Sequence, residues 1–315
     1  MAKPLQYNST LIGREDLTSS LSIFKVQPDA ELAAGLATFL PGQYGVLGLN
    51  NEANPDLGSV RRPMSIVNAP EEKGALEFYV RYVGHPESDN PLTHLLWKIG
   101  EGDRMFLGPK ITGKFTLEDT VGSEDRRLKI CVAAGTGLAP FTSFVRSALL
   151  REPGRDLSEF VILHGASYPA DLGYVDELNG LRDQHGLRYF GSVSRPKETP
   201  DWTGDVGRVE DYFLPERLAE LEQRCGLADG ELTPARATIF ICGLQGTIGK
   251  TLTRLIPRGF VPENRKLRRA LEVEKEQAAS LFFEQYDTTP VIDVKDEELM
   301  VTLRQQLREG LSALA

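Results

Sequence analysis

The chain changes its hydrophobic rhythm near residue 128. Before that point, apolar residues come in short strand-length runs at residues 21–26, 43–49, 64–68, 76–83 and 104–108, set apart by turn residues. Runs at this spacing predict an antiparallel barrel or sandwich. One helical pattern interrupts them at residues 91–99, with Leu92, Leu95, Leu96 and Ile99 on one side. Residues 118–127 are polar and charged, have no apolar period, and read as a domain linker.

After the linker, strand-like runs at 128–134, 160–164, 188–193 and 238–242 alternate with helical patterns at 141–150, 174–184, 209–224 and 247–255. That alternation predicts an α/β domain with a doubly wound parallel sheet. The expected division is therefore 1–120 for the antiparallel domain, 121–262 for the α/β domain and 263–315 for a C-terminal extension. Within the extension, residues 296–314 predict an amphipathic helix with Leu299, Leu303, Leu307, Leu311 and Leu314 on one stripe. The stripe suits docking on its own protein or homodimerisation with a second copy.

Candidate chemistry concentrates where these patterns meet. Residues 128–141, LKICVAAGTGLAPF, carry a buried-strand run into a helix through a glycine pair. Gly135 and Gly137 permit a tight turn and the close approach of another molecule, and Pro140 presets the first helical turn. Free N–H groups and the helix dipole at such a start favour a pyrophosphate, although a plain tight connection explains the same residues. Ligands of doubly wound sheets lie beyond the carboxyl ends of the strands, which is where Gly135, Ser194 and Gly243 fall. In the first half, Arg61 and Arg62 precede a strand carrying Ser65; forked guanidinium groups suit phosphate, and an exposed basic strand end is the plainer reading. The helix start at 90–95, NPLTHL, offers N–H groups and a hydroxyl to an anion, while N-capping by Asn90 explains it equally well.

The 315 residues carry a net charge of −9, which argues against nucleic acid or an anionic membrane as the main partner. Cys131, Cys225 and Cys242 form no CxxC pair, and the four histidines have no ligand spacing, so no metal site is expected. Residues 1–16 lack an apolar signal core and no run approaches the length of a membrane span. A soluble protein of a reducing, cytoplasmic compartment is expected, without membrane insertion.

Taken in order, these stretches resemble the ferredoxin/flavodoxin–NADP reductase family, most closely its bacterial type, over about residues 7–286. The matching motifs are PGQYGVLGL at 41–49, RRPMSIVNAP at 61–70, LEFYV at 76–80, GTGLAPF at 135–141, SVSRP at 192–196, GRV at 207–209 and ICG at 241–243. The resemblance implies an FAD-binding antiparallel β-barrel followed by an NADP-binding α/β domain. On the flavin side it implies that Arg62 pairs with the flavin phosphate and that the Ser65 hydroxyl approaches flavin N5. Met64 stands where relatives have a ring-packing tyrosine, and Pro63, Ile66 and Val67 complete that strand. Leu92 and Thr93 match a pyrophosphate-binding helix start, with Pro91 in place of the usual glycine.

On the nicotinamide side the resemblance assigns Gly135, Thr136, Gly137 and Pro140 to the cofactor pyrophosphate turn. It assigns Ser194, Arg195 and Arg208 to the 2′-phosphate, which favours NADP over NAD; after His164-Gly165 the chain has Ala166 where many relatives carry another arginine. Cys242 and Gly243 would abut the nicotinamide, and Tyr286 would cover the flavin ring, making Ser65, Cys242 and Tyr286 the implied catalytic residues. The implied activity is a flavoenzyme moving electrons between NADP(H) and a one-electron protein carrier, ferredoxin or flavodoxin. A flavin reductase or oxygenase reductase component, or a non-catalytic electron-wiring subunit, would use the same two domains. With no four-cysteine pattern for a built-in cluster, the carrier is a separate protein. An acidic carrier is expected to meet Arg61, Lys110 and Lys114, or Arg265, Lys266, Arg268 and Arg269.

Overall fold

The structure is a computed structural model that describes residues 3–36 and 38–314. Its contacts gather the chain into two compact units, one running to Ser123 and taking in Ala139–Arg155, the other formed by Glu124–Leu138 and everything from Asp156 onward.

The first unit contains β1 (Ser9–Thr18), β2 (Leu21–Pro28), α1 (Ala30–Leu36), β3 (Tyr44–Asn50), β4 (Ser59–Ser65), β5 (Leu76–Arg81), α2 (Leu92–Leu96), β6 (Arg104–Leu107), α3 (Leu117–Thr120) and α4 (Ala139–Arg151). The strands form one antiparallel sheet in the order β4-β3-β6-β1-β2-β5. A bridge between Ile66 and Phe78, with the Val67 N–H donating to the Glu77 carbonyl at 2.9 Å, joins the end of β4 to β5 and closes the sheet into a barrel. Leu11, Phe24, Val26, Leu47, Phe78, Met105 and Leu107 fill it. β1 is a strand that the apolar pattern does not reveal: its middle reads GRED, and only Ser9 and Leu11 are buried. Pairing with β2 over its whole length holds it in place.

Helix α4 follows the glycine turn yet belongs with the barrel. Ser143 donates to the Asn68 carbonyl at 2.9 Å, and the Arg146 guanidinium donates to Glu77 at 3.0 Å. Residues 139–145 are all buried, with Phe115 packed against Phe141 and Phe141 against Phe144. The contacts therefore group α4 with the barrel strands, although it lies beyond residue 120 in the chain. The expected linker also contains the end of α3, whose first turn is capped by the Thr116 hydroxyl accepting from the Asp119 N–H.

The second unit holds β7 (Leu128–Ala134), β8 (Phe160–Ala166), α5 (Val175–His185), β9 (Arg188–Val193), β10 (Asp205–Val206), α6 (Pro215–Arg224), β11 (Ala237–Gly243), α7 (Gln245–Leu255), α8 (Arg265–Ala270), β12 (Leu281–Gln285) and α9 (Glu297–Ala313). All six strands run parallel, in the order β10-β9-β8-β7-β11-β12. The single helix expected at 209–224 is broken: Val209–Phe213 is a 3-10 turn and α6 begins at Pro215. Proline removes an N–H and forces Leu214 to extended backbone (φ −67°, ψ 143°), so the helix restarts there.

The C-terminal extension is part of this unit. β12 pairs with β11 from Ile239↔Leu281 to Gly243↔Gln285, and Phe282 stacks on Phe240 at 5.2 Å. Helix α9, capped by Asp296, buries Met300, Leu303, Leu307 and Gly310 in the sheet unit's core. At Gly310 a Cβ would stand 2.5 Å from Gly259 N and Pro257 O, so only glycine allows this approach. Of the leucine stripe, Leu303 and Leu307 are buried in the chain's own core and Leu299 and Leu311 pack against it, whereas Leu314 is exposed. Among the described residues, no helix is long and apolar enough to cross a membrane, and no group of three histidine, cysteine or carboxylate side chains could hold a metal.

Candidate active site at the strand ends

Gly135 and Gly137 leave β7 in a 3-10 turn, but they serve different ends. Gly135 has φ +55°, and a Cβ there would meet nothing within 4 Å, so it supplies a left-handed turn beside open space. Gly137 is closed in: a Cβ would lie 2.1 Å from the Cys242 carbonyl oxygen. Its lack of a side chain lets the turn pack on the end of β11. Thr136 lies between them, and Pro140 is buried in the first turn of α4.

His164, at the end of β8, fixes this turn and carries no role in the sequence reading. Burial pushes its pKa down to about 4, outweighing the hydrogen bond to Gly135, so the ring is neutral at physiological pH. Nε2 stands 3.2 Å from the Gly135 carbonyl and Nδ1 stands 3.3 Å from the Tyr189 hydroxyl. A carbonyl can only accept, so Nε2 carries the proton and Nδ1 accepts from Tyr189. The only signal for this in the sequence is a histidine in an otherwise apolar strand.

β11 and β12 bring a second set together. The β-ladder places Glu284 opposite Cys242, with the Cys242 Sγ 4.0 Å from a Glu284 carboxylate oxygen. Burial, then the Glu284 charge, push the Cys242 thiol well up, and a Tyr286 hydrogen bond opposes them only in part. Cys242 therefore remains a thiol and has no nucleophilic character. Tyr286 donates its N–H to the Gly243 carbonyl at 3.0 Å, and its hydroxyl lies 3.4 Å from the Thr136 carbonyl. Asp287 then accepts from the Gln245 N–H at 2.9 Å at the start of α7. Thr136, Cys242, Gly243, Glu284 and Tyr286 thus share one end of the sheet. Glu284 escapes sequence reasoning because its neighbour Cys242 is 42 residues away.

At the far side of the same strand ends, Ser194 follows β9 and Arg208 follows β10. Pairing of Val206 with Val193, and the Gly207 N–H bond to the Val193 carbonyl, bring Arg208 beside Ser194 and Arg195. All three are exposed. Arg195 donates to the Tyr168 hydroxyl at 2.8 Å and lies over that ring; Tyr168 in turn donates to Glu198 at 2.7 Å. The pair positions the guanidinium while bringing a carboxylate near any phosphate it receives.

In the barrel unit, β4 carries exposed Arg62 and Pro63, half-buried Met64 and buried Ser65, with Ile66 and Val67 just beyond it. Among the described residues, the Arg62 guanidinium makes one hydrogen bond, to the Arg61 carbonyl at 2.8 Å. Helix α2 is only five residues long and begins after Pro91 rather than Asn90. N-capping by Asn90 is ruled out: Asn90 donates to the Leu57 carbonyl and accepts from Asn51. Among the described residues no side chain caps the first turn, where Leu92 and Thr93 are buried. The Thr93 hydroxyl accepts from the Val83 N–H at 3.3 Å, leaving its own proton to donate. A guanidinium with donors to spare and an uncapped turn fit an anionic phosphate group on this unit, as the open side of Gly135 fits one on the sheet unit.

Residues 131–251 match the family described as "Oxidoreductase NAD-binding domain". The chain is 25% identical to sulfhydrogenase 1 subunit gamma of Pyrococcus furiosus over 78% of its own length and 73% of that protein. It is 24% identical to a flavodoxin/ferredoxin–NADP reductase of Buchnera aphidicola, over 78% of this chain and 88% of the relative. Its fold is that of a crystallised ferredoxin NADP+ reductase from Neisseria gonorrhoeae with bound FAD and NADP: TM-score 0.69, 21% identity, 89% of this chain and 98% of the other.

Proposed function

Because the chain belongs to the ferredoxin/flavodoxin–NADP reductase family and is an oxidoreductase of that type, we propose that it moves electrons between NADP(H) and a separate ferredoxin or flavodoxin. The reading takes FAD on the barrel unit and NADP(H) at the strand ends of the sheet unit. The observation that carries it is the assembly of Thr136, Cys242, Gly243, Glu284 and Tyr286 around the glycine turn at the carboxyl end of a parallel sheet.

When bound, FAD supplies the redox chemistry, exchanging a hydride with the nicotinamide and single electrons with the carrier. Arg62 holds its phosphate, Leu92 and Thr93 add donors, and Pro63, Met64, Ser65, Ile66 and Val67 line its strand. Met64 covers an aromatic face with a polarizable thioether where a tyrosine would stack. Gly135 gives the dinucleotide pyrophosphate room, with Thr136, Gly137 and Pro140 shaping the turn. Ser194, Arg195 and Arg208 receive the 2′-phosphate. Cys242 and Gly243 present a small surface to the nicotinamide, Glu284 holds a charge beside the thiol, and the Tyr286 ring shields the reacting centre from water. Reaction geometry, rather than a protein nucleophile, supplies the catalysis.

The purified protein is expected to show flavin absorption bands and to reduce an artificial acceptor with NADPH. A second reading, a flavin subunit that wires a larger complex, is favoured by the likeness to a sulfhydrogenase subunit. Flavin bands without any nicotinamide-driven turnover of the isolated chain would select it.

A further inference from the structure

The parallel sheet has a second chemically distinctive end. At the amino ends of its strands, opposite the glycine turn, Arg127 precedes β7, Arg188 opens β9 and Arg236 precedes β11. With Arg126 they line a cavity of about 400 Å³, against an apolar wall that includes Cys225 and Leu227. None of these residues takes part in the proposed redox site.

Their charges are unevenly answered. Arg127 is committed to Asp125, with Nε at 2.7 Å, and to the Pro234 carbonyl at 2.9 Å. Arg188 donates to the Ser158 carbonyl, and the Asp156 carboxylate answers its charge only at longer range. Arg126 has Glu124 no nearer than 3.8 Å, and the two side chains are 75% and 92% exposed, so water screens the pair. Arg236 enters no ion pair among the described residues. In a chain of net charge −9 this is a local excess of positive charge, concentrated in a concave site. Guanidinium forks match the oxygens of phosphate in geometry and charge, and several at once favour a polyanion over a single carboxylate. The volume lies in the range of small-molecule sites.

We propose that this cavity binds a small ligand through a di- or triphosphate group, as a second anion site on the sheet unit independent of the nicotinamide. Inorganic pyrophosphate and a nucleoside diphosphate share that chemistry. The test is calorimetric titration of the full-length Arg195→Ala variant with pyrophosphate and, separately, with ADP, at fixed ionic strength; this background removes the main charge of the proposed 2′-phosphate pocket. Saturable one-to-one binding is expected, weakened roughly tenfold or more when Arg126→Gln and Arg236→Gln are added. Both of those side chains are exposed, so the folded circular dichroism spectrum should be kept. Tighter binding of ADP than of pyrophosphate assigns the site to a nucleotide; equal binding assigns it to the phosphate chain alone. Absence of saturable binding, or unchanged affinity in the variant lacking Arg126 and Arg236, overturns the proposal.

Discussion

At His164 a titratable ring acts as a fixed donor because burial removes its charge. Its folded pKa of about 4 lies below the ordinary value of 6.5, so the unfolded chain binds the extra proton between these values. Stability from this residue is present above about pH 6.5 and lost as pH falls towards 4, by up to roughly 3 kcal/mol. Denaturant unfolding at pH 4.5 and pH 7 should show that loss, and His164→Gln should flatten it while still donating to the Gly135 carbonyl. Arg195 makes a second residue-scale case. Under the proposed function, Arg195→Ala should raise the Michaelis constant for NADPH and leave that for NADH almost unchanged. A charge-assisted contact of about 1.5–3 kcal/mol corresponds to roughly ten- to a hundredfold. The lower end is expected, since Glu198 approaches the same guanidinium through Tyr168. Equal changes for the two cofactors would place the 2′-phosphate elsewhere.

At the scale of elements, β12 and α9 form one structural arm. Tyr286 follows a paired strand, Asp287 is tied to the start of α7, and α9 closes the arm with three buried apolar side chains. Removing residues 287–315 would uncover Met300, Leu303 and Leu307's partners in the core, at a cost of roughly 1.5–3 kcal/mol for each such side chain. Deletion would therefore destabilise the unit as well as release Tyr286. Tyr286→Ser isolates the ring: if it must yield before nicotinamide docks, the variant should bind NADP(H) more tightly with full flavin content, and unchanged affinity would show that it is not a gate. Gly310→Ala probes the arm's anchor. The methyl group would press on the Gly259 and Pro257 backbone, so the thermal midpoint should fall by an amount reflecting about 1–3 kcal/mol of overpacking. An unchanged midpoint would mean that α9 is readily displaced.

For the whole molecule, a charge of −9 sets the terms on which any acidic carrier approaches. Attraction must come from local basic groups, as proposed for Arg61, Lys110 and Lys114 on the barrel unit or for α8 on the sheet unit. Within α8, Arg268 already donates to the Glu274 and Gln277 carbonyls, which leaves Arg265, Lys266 and Arg269 as the better candidates. Raising salt from low to physiological strength should slow reduction of a ferredoxin or flavodoxin far more than reduction of a small neutral acceptor. Carrier kinetics insensitive to salt would remove electrostatic docking from the account.

The sequence by itself determined what depends on neighbours along the chain. The switch from short β-like runs to alternating strands and helices foretold a barrel and a parallel sheet, and the glycines, Ser194 and Gly243 fell at strand ends as expected. Only the tertiary structure decided which distant segments meet. β12 has five residues, two of them Glu284 and Gln285, and becomes a strand because β11 offers a free edge and Phe240 a partner for Phe282. α4 follows the glycine turn in sequence but finds its packing on the barrel. Gly135 and Gly137 look alike in the chain, yet one faces open space and the other the Cys242 carbonyl. Glu284 meets Cys242, and His164 meets Gly135, through strand register alone. Periodicity reports which face of an element is apolar; pairing between strands far apart in sequence is set by how those faces are buried together.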